Sequence, residues 1–298
     1  MLAAFDIGGS RIRATLSPAP GEMRPLGEAA MPRDFAGFLG AVSGLLPPGT
    51  SRLAVAVAGI VDPADGRLTA ANLPAVNGRR LGPELQAALG LPVWIGNDAD
   101  CFALAEATEG VACGHRTVFG VILGSGVGGG LVIDGRLVTG AGGFAGEWGH
   151  GPVLDQRPLG QVVPHFRCGC GQAGCVDTVG GARGLERLHR HLTGDEADSR
   201  AILARWHAGE APRTVALWLE LVSGPLAMVL NVVGASAVPV GGGLGSDGAL
   251  VAALDQAVRA RILRRTDGPL LRPAALPEPG LIGAARAGWG LARRGWDP

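Results

Sequence analysis

The sequence predicts an α/β fold built from two related halves that face a shared cleft, and three observations carry that prediction. Leu2 to Ile7 reads as a strand, Gly8-Gly9 as a turn and Ile12 to Leu16 as the returning strand. The same strand, glycine turn, strand pattern returns enlarged at Val118 to Ile133, about 115 residues further on, a repeat that signals an internal duplication. Between and beyond the hairpins, apolar runs of strand length alternate with segments of helical spacing, as α/β layers require. At 298 residues the chain is long enough for two hydrophobic cores.

In the first half, Asp6 closes a strand beside Gly8, Gly9 and Ser10, where a carboxylate suits a Mg²⁺-bound water or a phosphate. Phe35 to Leu46 has apolar residues at helical spacing, and Leu53 to Val57 is a buried strand running into Gly59. After the Asp65-Gly66 turn, TAANLPAVNG sets Asn72 and Asn77 in a loop. Such amides form turns, and they also donate to and accept from sugar hydroxyls. Leu81 to Leu89 predicts a helix and Pro92 to Ile95 a strand. Asn97 and Asp98 then stand at the carboxyl end of that strand, directly before another helix, where open α/β sheets present ligand-binding groups. A helix cap needs one such residue, so the pair points to function.

The second half opens on VFGVILGSGVGGGLVIDGRLVTG. Gly124, Gly126 and Gly129 match the dinucleotide fingerprint G-x-G-x-x-G, but a fingerprint must open a helix. Here a β-branched run and the Asp134-Gly135 turn follow instead. Gly124, Ser125, Gly126 and Gly128 therefore read as a hairpin turn whose N–H groups converge on phosphate, with no Cβ in the way. Further on, Ala182 to His191, Ile202 to His207 and Val215 to Val233 read as helices, and Ser236 to Val240 as a short strand. That strand meets the glycine run 241–245, where Gly242 and Gly243 allow a flat base to approach the backbone. A helix from about Asp247 to Leu263 and a closing helix in LIGAARAGWGLARR complete the pattern.

Composition excludes several classes. Basic and acidic residues number 26 each, so there is no electrostatic footprint for nucleic acid. All the basic residues are arginine, which removes the Walker lysine, the protein-kinase lysine and Schiff-base chemistry. The uncharged run Ser223 to Val240 contains Pro225, Asn231, Gly234 and Pro239 and reads as a buried helix and a strand rather than a membrane span. The N-terminus lacks a basic region followed by an apolar stretch, so a cytoplasmic protein without membrane partners is expected. Cys101 and Cys113 are expected to be buried thiols.

Two polar constellations follow the second hairpin. GFAGEWGH puts Glu147 three residues before His150, a pair that suits a polyol or a metal. CGCGQAGC then places Cys168, Cys170 and Cys175 within eight residues. Three thiolates need one more ligand to complete a tetrahedral zinc site, and His150 and His165 lie upstream. A structural zinc is the expectation, because three cysteines cannot all pair within their own cluster.

In order along the chain, DIGGSR (6–11), NDADCFALAEA (97–107), LGSGVGGG (123–130), EWGH (147–150), CGCGQAGC (168–175) and GGGLG (241–245) resemble the ROK family of sugar kinases and repressors. Within it, AANLP, ILGSGVGGGLV and RCGCGQAGC resemble the bacterial N-acetylglucosamine kinases. The resemblance implies an actin/hexokinase-like, ribonuclease-H-like fold with the active site between two lobes. Those lobes would span 1–116 with a C-terminal helix at about 280–298, and 117–279 with the zinc segment at 150–175. It implies ATP-dependent phosphorylation of an amino sugar or hexose, N-acetyl-D-glucosamine first. Glucokinase, N-acetylmannosamine kinase, fructokinase and a non-catalytic sugar sensor are the alternatives.

By the same resemblance, Asp98 would accept the proton of the sugar hydroxyl, while Asn72, Asn97, Glu147, His150 and Asp177 would hold the sugar. Asp6, Gly8, Gly9, Ser10 and Arg11, the 124–129 turn and the Gly242-Gly243 run would serve ATP and Mg²⁺. His150, Cys168, Cys170 and Cys175 would bind zinc, with His165 in reserve, and a homodimer is expected. Three departures stand out. Asp177 replaces the family's usual Glu, Gly180-Gly181 replaces a Ser-Gly pair, and Ser236 to Val240 lacks an acidic lead into the glycine run.

Overall fold

The computed structural model describes residues 1–210 and 212–291; the last seven residues of the expected closing helix lie outside them. In the first half, β1 (Leu2–Ile7), β2 (Arg11–Ser17) and β3 (Arg24–Ala30) form an antiparallel meander, followed by α1 (Phe35–Leu45) and β4 (Arg52–Val57). A small hairpin of β5 (Ile60–Val61) and β6 (Leu68–Thr69) precedes α2 (Leu81–Leu89), β7 (Val93–Asn97) and α3 (Asp98–Thr108). The second half repeats the scheme with β8 (Thr117–Leu123), β9 (Val127–Ile133) and β10 (Arg136–Val138). It continues through α4 (Asp177–Gly180), α5 (Ala182–Thr193), α6 (Ser199–His207), α7 (Pro212–Val233) and β11 (Val238–Gly241). α8 (Gly242–Gly245), α9 (Gly248–Arg259), β12 (Leu271–Pro273) and α10 (Pro279–Leu291) complete it.

The duplication is explicit in the sheets. The first has strand order β3-β2-β1-β4-β7 and the second β10-β9-β8-β11-β12. In each, the hairpin pairs are antiparallel and the remaining two pairs parallel. Phe5, Ile7, Phe38, Leu53, Val55, Leu81 and Leu85 anchor one core. Phe119, Val121, Trp148, Trp218, Leu221 and Val222 anchor the other. β5 and β6, β3, β10 and β12 go beyond the sequence expectation. β3 is mostly exposed and holds Pro25 and Gly27, so it shows no apolar alternation. β12 has only three residues and ends in Pro273. α9 stops at Arg259, short of the expected Leu263.

Between the sheets lies α3, every residue of which from Ala99 to Ala107 is buried. A helix without a solvent face needs small neighbours on all sides, and glycines supply them. A Cβ on Gly120 would stand 2.7 Å from the Ala103 Cβ, and one on Gly130 2.7 Å from the Ala99 carbonyl oxygen. α7 is long and apolar enough to cross a bilayer, yet its Val215, Trp218, Leu221, Val222 and Leu226 are buried in the second core. It is the buried helix, followed by a strand, that Pro225 and the later glycine suggest. Cys101 is buried as expected, whereas Cys113 is exposed at the turn after α3, its thiol donating to the Thr108 carbonyl at 3.3 Å.

Candidate active site

Three glycine segments follow the carboxyl ends of the central strands β1, β8 and β11. In the first turn the Gly8 N–H donates to the Arg11 carbonyl at 3.0 Å, and in the second the Gly124 N–H donates to Gly126 at 3.0 Å. Gly242 has φ of +85°, and a Cβ there would lie 2.5 Å from the Leu123 carbonyl carbon, so the third segment packs directly on the second. A cavity of about 430 Å³ opens beside the third, lined by Asp6, Arg13, Asp98, Gly241, Gly242, Ser246, Leu276, Pro277, Pro279 and Gly280 among others. Asn72 lies against the first turn: a Cβ on Gly9 would be 3.6 Å from its carbonyl oxygen.

The Asn97-Asp98 pair divides its labour. Asn97 is the N-cap of α3; its Oδ1 accepts from the N–H groups of Ala99 at 2.7 Å and Asp100 at 3.2 Å. Its amide donates to the Gly59 carbonyl at 2.9 Å. The sugar contact expected of Asn97 is therefore limited to its remaining N–H, because the helix terminus takes the oxygen. Asp98, the first helical residue, accepts at Oδ1 from the Ala99 N–H at 2.9 Å, and among the described residues nothing donates to its Oδ2. Burial, and then the charge of Asp6, push its carboxyl up to about 6. Two residues on, buried Asp100 is pushed to about 7 by burial, then by Glu147 and Asp98, and its Oδ1 has no hydrogen-bond partner. Glu147 is raised too, first by burial, against the opposing pull of His150. Its Oε2 stands 3.7 Å from His150 Nε2.

The other ring nitrogen of His150 faces the cysteines, with Nδ1 3.5 Å from Cys168 Sγ. Cys170 Sγ and Cys175 Sγ are 3.7 Å apart, and the four ligand atoms of His150, Cys168, Cys170 and Cys175 lie within 4.8 Å of one another. The cluster fits a structural metal. His165 is not part of it: its Nε2 bonds the Leu154 carbonyl at 2.9 Å.

Three further positions differ from expectation. Gly128 lies in β9 rather than the turn, and its carbonyl accepts from Trp148 Nε1 at 2.9 Å. Asp177 turns to the hairpin, where its Oδ1 accepts from the Val127 N–H at 2.8 Å, and a Cβ at 126 would stand 2.4 Å from that oxygen and displace the carboxylate. Its other oxygen is 3.6 Å from Cys168 Sγ. The carboxylate, one methylene short of the usual glutamate, thus bridges the cysteine segment and the glycine hairpin. Finally, Arg11 pairs with Glu28, and Arg13 instead lines the cleft. Both arginines lie on one face of β2, but Arg11 leans to the β3 edge and Arg13 sits opposite Asp6. The pairing of Ile7 with Ile12 across the turn was readable, but which arginine β3 draws away was not. Asp100 lies inside the 97–107 motif, and its spacing from Asp98 was the available signal.

Two like sheets beside a cleft, glycine turns from both and a carboxylate at a helix start that faces the cavity define the sugar-kinase class of the actin/hexokinase fold. The ROK family model matches residues 2–287, and the chain belongs to that family. An N-acetylgalactosamine kinase, AgaK, from Shewanella sp. (strain ANA-3) is 32% identical, over 98% of this chain and 97% of its own. An N-acetyl-D-glucosamine kinase from Citrobacter koseri is 36% identical, over 82% and 84%. A ROK family glucokinase from Streptomyces griseus, solved in complex with glucose and AMPPNP, superimposes with a TM-score of 0.78 at 25% identity, covering 97% of this chain and 99% of that one.

Proposed function

We propose that the protein transfers the γ-phosphoryl group of ATP to the 6-hydroxyl of N-acetyl-D-glucosamine. The observation that carries this reading is Asp98: Asn97 already caps α3, so the neighbouring carboxylate has an oxygen free at the cleft. A sugar hydroxyl is too weak an acid to ionise beforehand, and a carboxylate in reach orients it and takes its proton as the bond to phosphorus forms. Glu147 and the free N–H of Asn97 would hold ring hydroxyls, with Asn72 at the turn. The N–H groups of Gly9, Ser10, Ser125 and Gly126 would receive the phosphates, those of Gly8 and Gly124 being engaged within their own turns. Mg²⁺, when bound, offsets phosphate charge, and Asp6 is the carboxylate placed to hold it through water.

Zinc is the metal proposed for the cysteine cluster. With Zn–S of 2.3 Å and Zn–N near 2.05 Å, a regular tetrahedron requires S···S of about 3.8 Å and S···N of about 3.6 Å. The distances of 3.7 Å between Cys170 and Cys175 and 3.5 Å between Cys168 and His150 support it. We also propose a cytoplasmic homodimer; Met228 and Val232, one turn apart on α7, are 65% and 77% exposed and offer an apolar face.

ATP turnover over a panel of amino sugars and hexoses tests the assignment. N-acetylglucosamine should give the highest kcat/KM, and a wide preference for glucose would overturn the acceptor while leaving the reaction. Absence of turnover with any of them would favour a sugar sensor. The likeness to AgaK over nearly the whole chain favours a second acceptor, N-acetylgalactosamine. It differs at C4 alone, so the ratio of the two kcat/KM values decides between them.

A further inference from the structure

A kinase cleft must receive a triphosphate of several negative charges, yet this one is lined by the carboxylates of Asp6 and Asp98. The sequence has no lysine to balance them. Among the described residues lining the cavity, one is a cation, Arg13. We propose that Arg13 is a phosphate-binding residue that grips the transferable γ-phosphate, an inference that rests on the kinase reading above.

The geometry supports the role in three ways. Arg13 lies opposite Asp6 in the β1–β2 register, so its side chain projects over the floor of the cleft beside the first glycine turn. Its guanidinium is held at both ends by acids: Nη2 pairs with Asp6 Oδ2, and Nη1 is 3.4 Å from Glu278 Oε1. Both outer groups are accessible, Arg13 at 43% and Glu278 at 46%, and exposed pairs of that length contribute little. A phosphate, with its fuller charge and bidentate fit to a guanidinium, is the stronger partner. The Glu278 contact is therefore a resting place that ATP displaces, while the Asp6 contact keeps the arginine aimed. Arg11, by contrast, is engaged with Glu28 and has 64% of its side chain exposed.

In the transfer itself, the sugar oxygen bonds to the γ-phosphorus as the bond to the bridging oxygen breaks. The electron pair leaves with ADP, and the hydroxyl proton passes to Asp98. Arg13 forms and breaks no covalent bond; it offsets charge on the equatorial oxygens.

Calorimetric titration with Mg²⁺-AMPPNP, Mg²⁺-ADP and N-acetylglucosamine, beside steady-state turnover, tests this in Arg13→Met, Arg13→Lys and Glu278→Gln. Arg13→Met should lose more than about tenfold in AMPPNP affinity and about 10²-fold in kcat. ADP affinity should change by less than about threefold, with sugar affinity and Tm unchanged, since a γ-phosphate contact is absent with ADP. Arg13→Lys should restore part of the loss, because a point charge replaces a fork. Glu278→Gln should bind AMPPNP at least as tightly as the parent. AMPPNP binding by Arg13→Met within about threefold of the parent would overturn the proposal. Equal losses for ADP and AMPPNP would equally remove the γ-phosphate assignment, and matching losses in Arg13→Met and Glu278→Gln would reduce the pair to a brace. A parent protein that neither binds AMPPNP nor turns over ATP would instead sink the kinase reading, and the role of Arg13 with it.

Discussion

Asp98 and Asp100 stand two residues apart on the first turn of α3, and their surroundings give them opposite tasks. Asp98 keeps one oxygen at the cleft, and with its carboxyl pushed to about 6 it is ionised at neutral pH and able to act as a base. The kcat/KM for sugar should therefore fall about tenfold per pH unit below roughly pH 6. Asp98→Asn should lower kcat by about 10²- to 10⁴-fold, with metal content, sugar affinity and Tm near the parent's. A kcat close to normal in that variant would move the search for the base to Glu147. Asp100 has no exit to the cleft, and its carboxyl is pushed to about 7. Because that is above the unfolded value near 3.8, its stabilising contribution is complete below that value and is lost as pH rises through about 7. Removing the charge with Asp100→Asn should leave stability little changed near pH 4 and improve it on the order of 2–4 kcal/mol by pH 8. Parallel Tm-against-pH curves for the two proteins would show that Asp100 does not titrate in that range.

At the scale of elements, the cysteine segment and the β8–β9 glycine hairpin are joined directly. Asp177 joins them through the Val127 N–H, and its own N–H donates to the Gly149 carbonyl at 2.9 Å. Cys170→Ser should cost metal, measured by atomic absorption, and several degrees of Tm, since a structural metal contributes to folding directly. KM should rise for ATP as well as for sugar, because the hairpin loses its brace; full metal and an unchanged Tm would refute the site. The hairpins and the helices of strong spacing were legible in the sequence because glycine turns and apolar periodicity are local signals. So was the grouping of three cysteines with a histidine, although the sequence left His150 and His165 open; His150 Nδ1 at 3.5 Å from Cys168 Sγ and the His165 bond to Leu154 separate them. What stayed hidden depends on neighbours distant in sequence. β12 pairs with β11 across α9, and positions 129 and 130 are glycines because Trp148 and α3 approach β9, where a Cβ would stand 2.6 Å from Trp148 Cδ1 and 2.7 Å from the Ala99 carbonyl oxygen. Whether Arg11 or Arg13 faces the cleft is decided by β3, an edge strand with no pattern of its own.

For the molecule as a whole, α3 is the shared part. Its start carries Asp98, one side packs on β8 and β9, and α10 packs on another. α10 in turn carries Pro279 and Gly280 to the wall of the cleft, with Gly280 over Asp6. The distance between the two helices therefore sets the shape of this cavity, and Gly283 sets that distance. A Cβ there would stand 1.9 Å from the Cys101 carbonyl oxygen, a backbone atom in the middle of a buried helix that cannot swing aside. Gly283→Ala must push α10 off α3, at a cost of about 3 kcal/mol or more, and should weaken AMPPNP binding by displacing the Pro279–Gly280 wall. The control lies on the same helix. Among the described residues nothing lies within 4 Å of where a Cβ on Gly290 would go, so Gly290→Ala should be neutral or stabilising by up to about 1 kcal/mol through helix propensity alone. Thermal melts of the two variants measured together separate the effects. If both move Tm alike, helix propensity governs and the close approach of α10 to α3 is not what shapes the cleft.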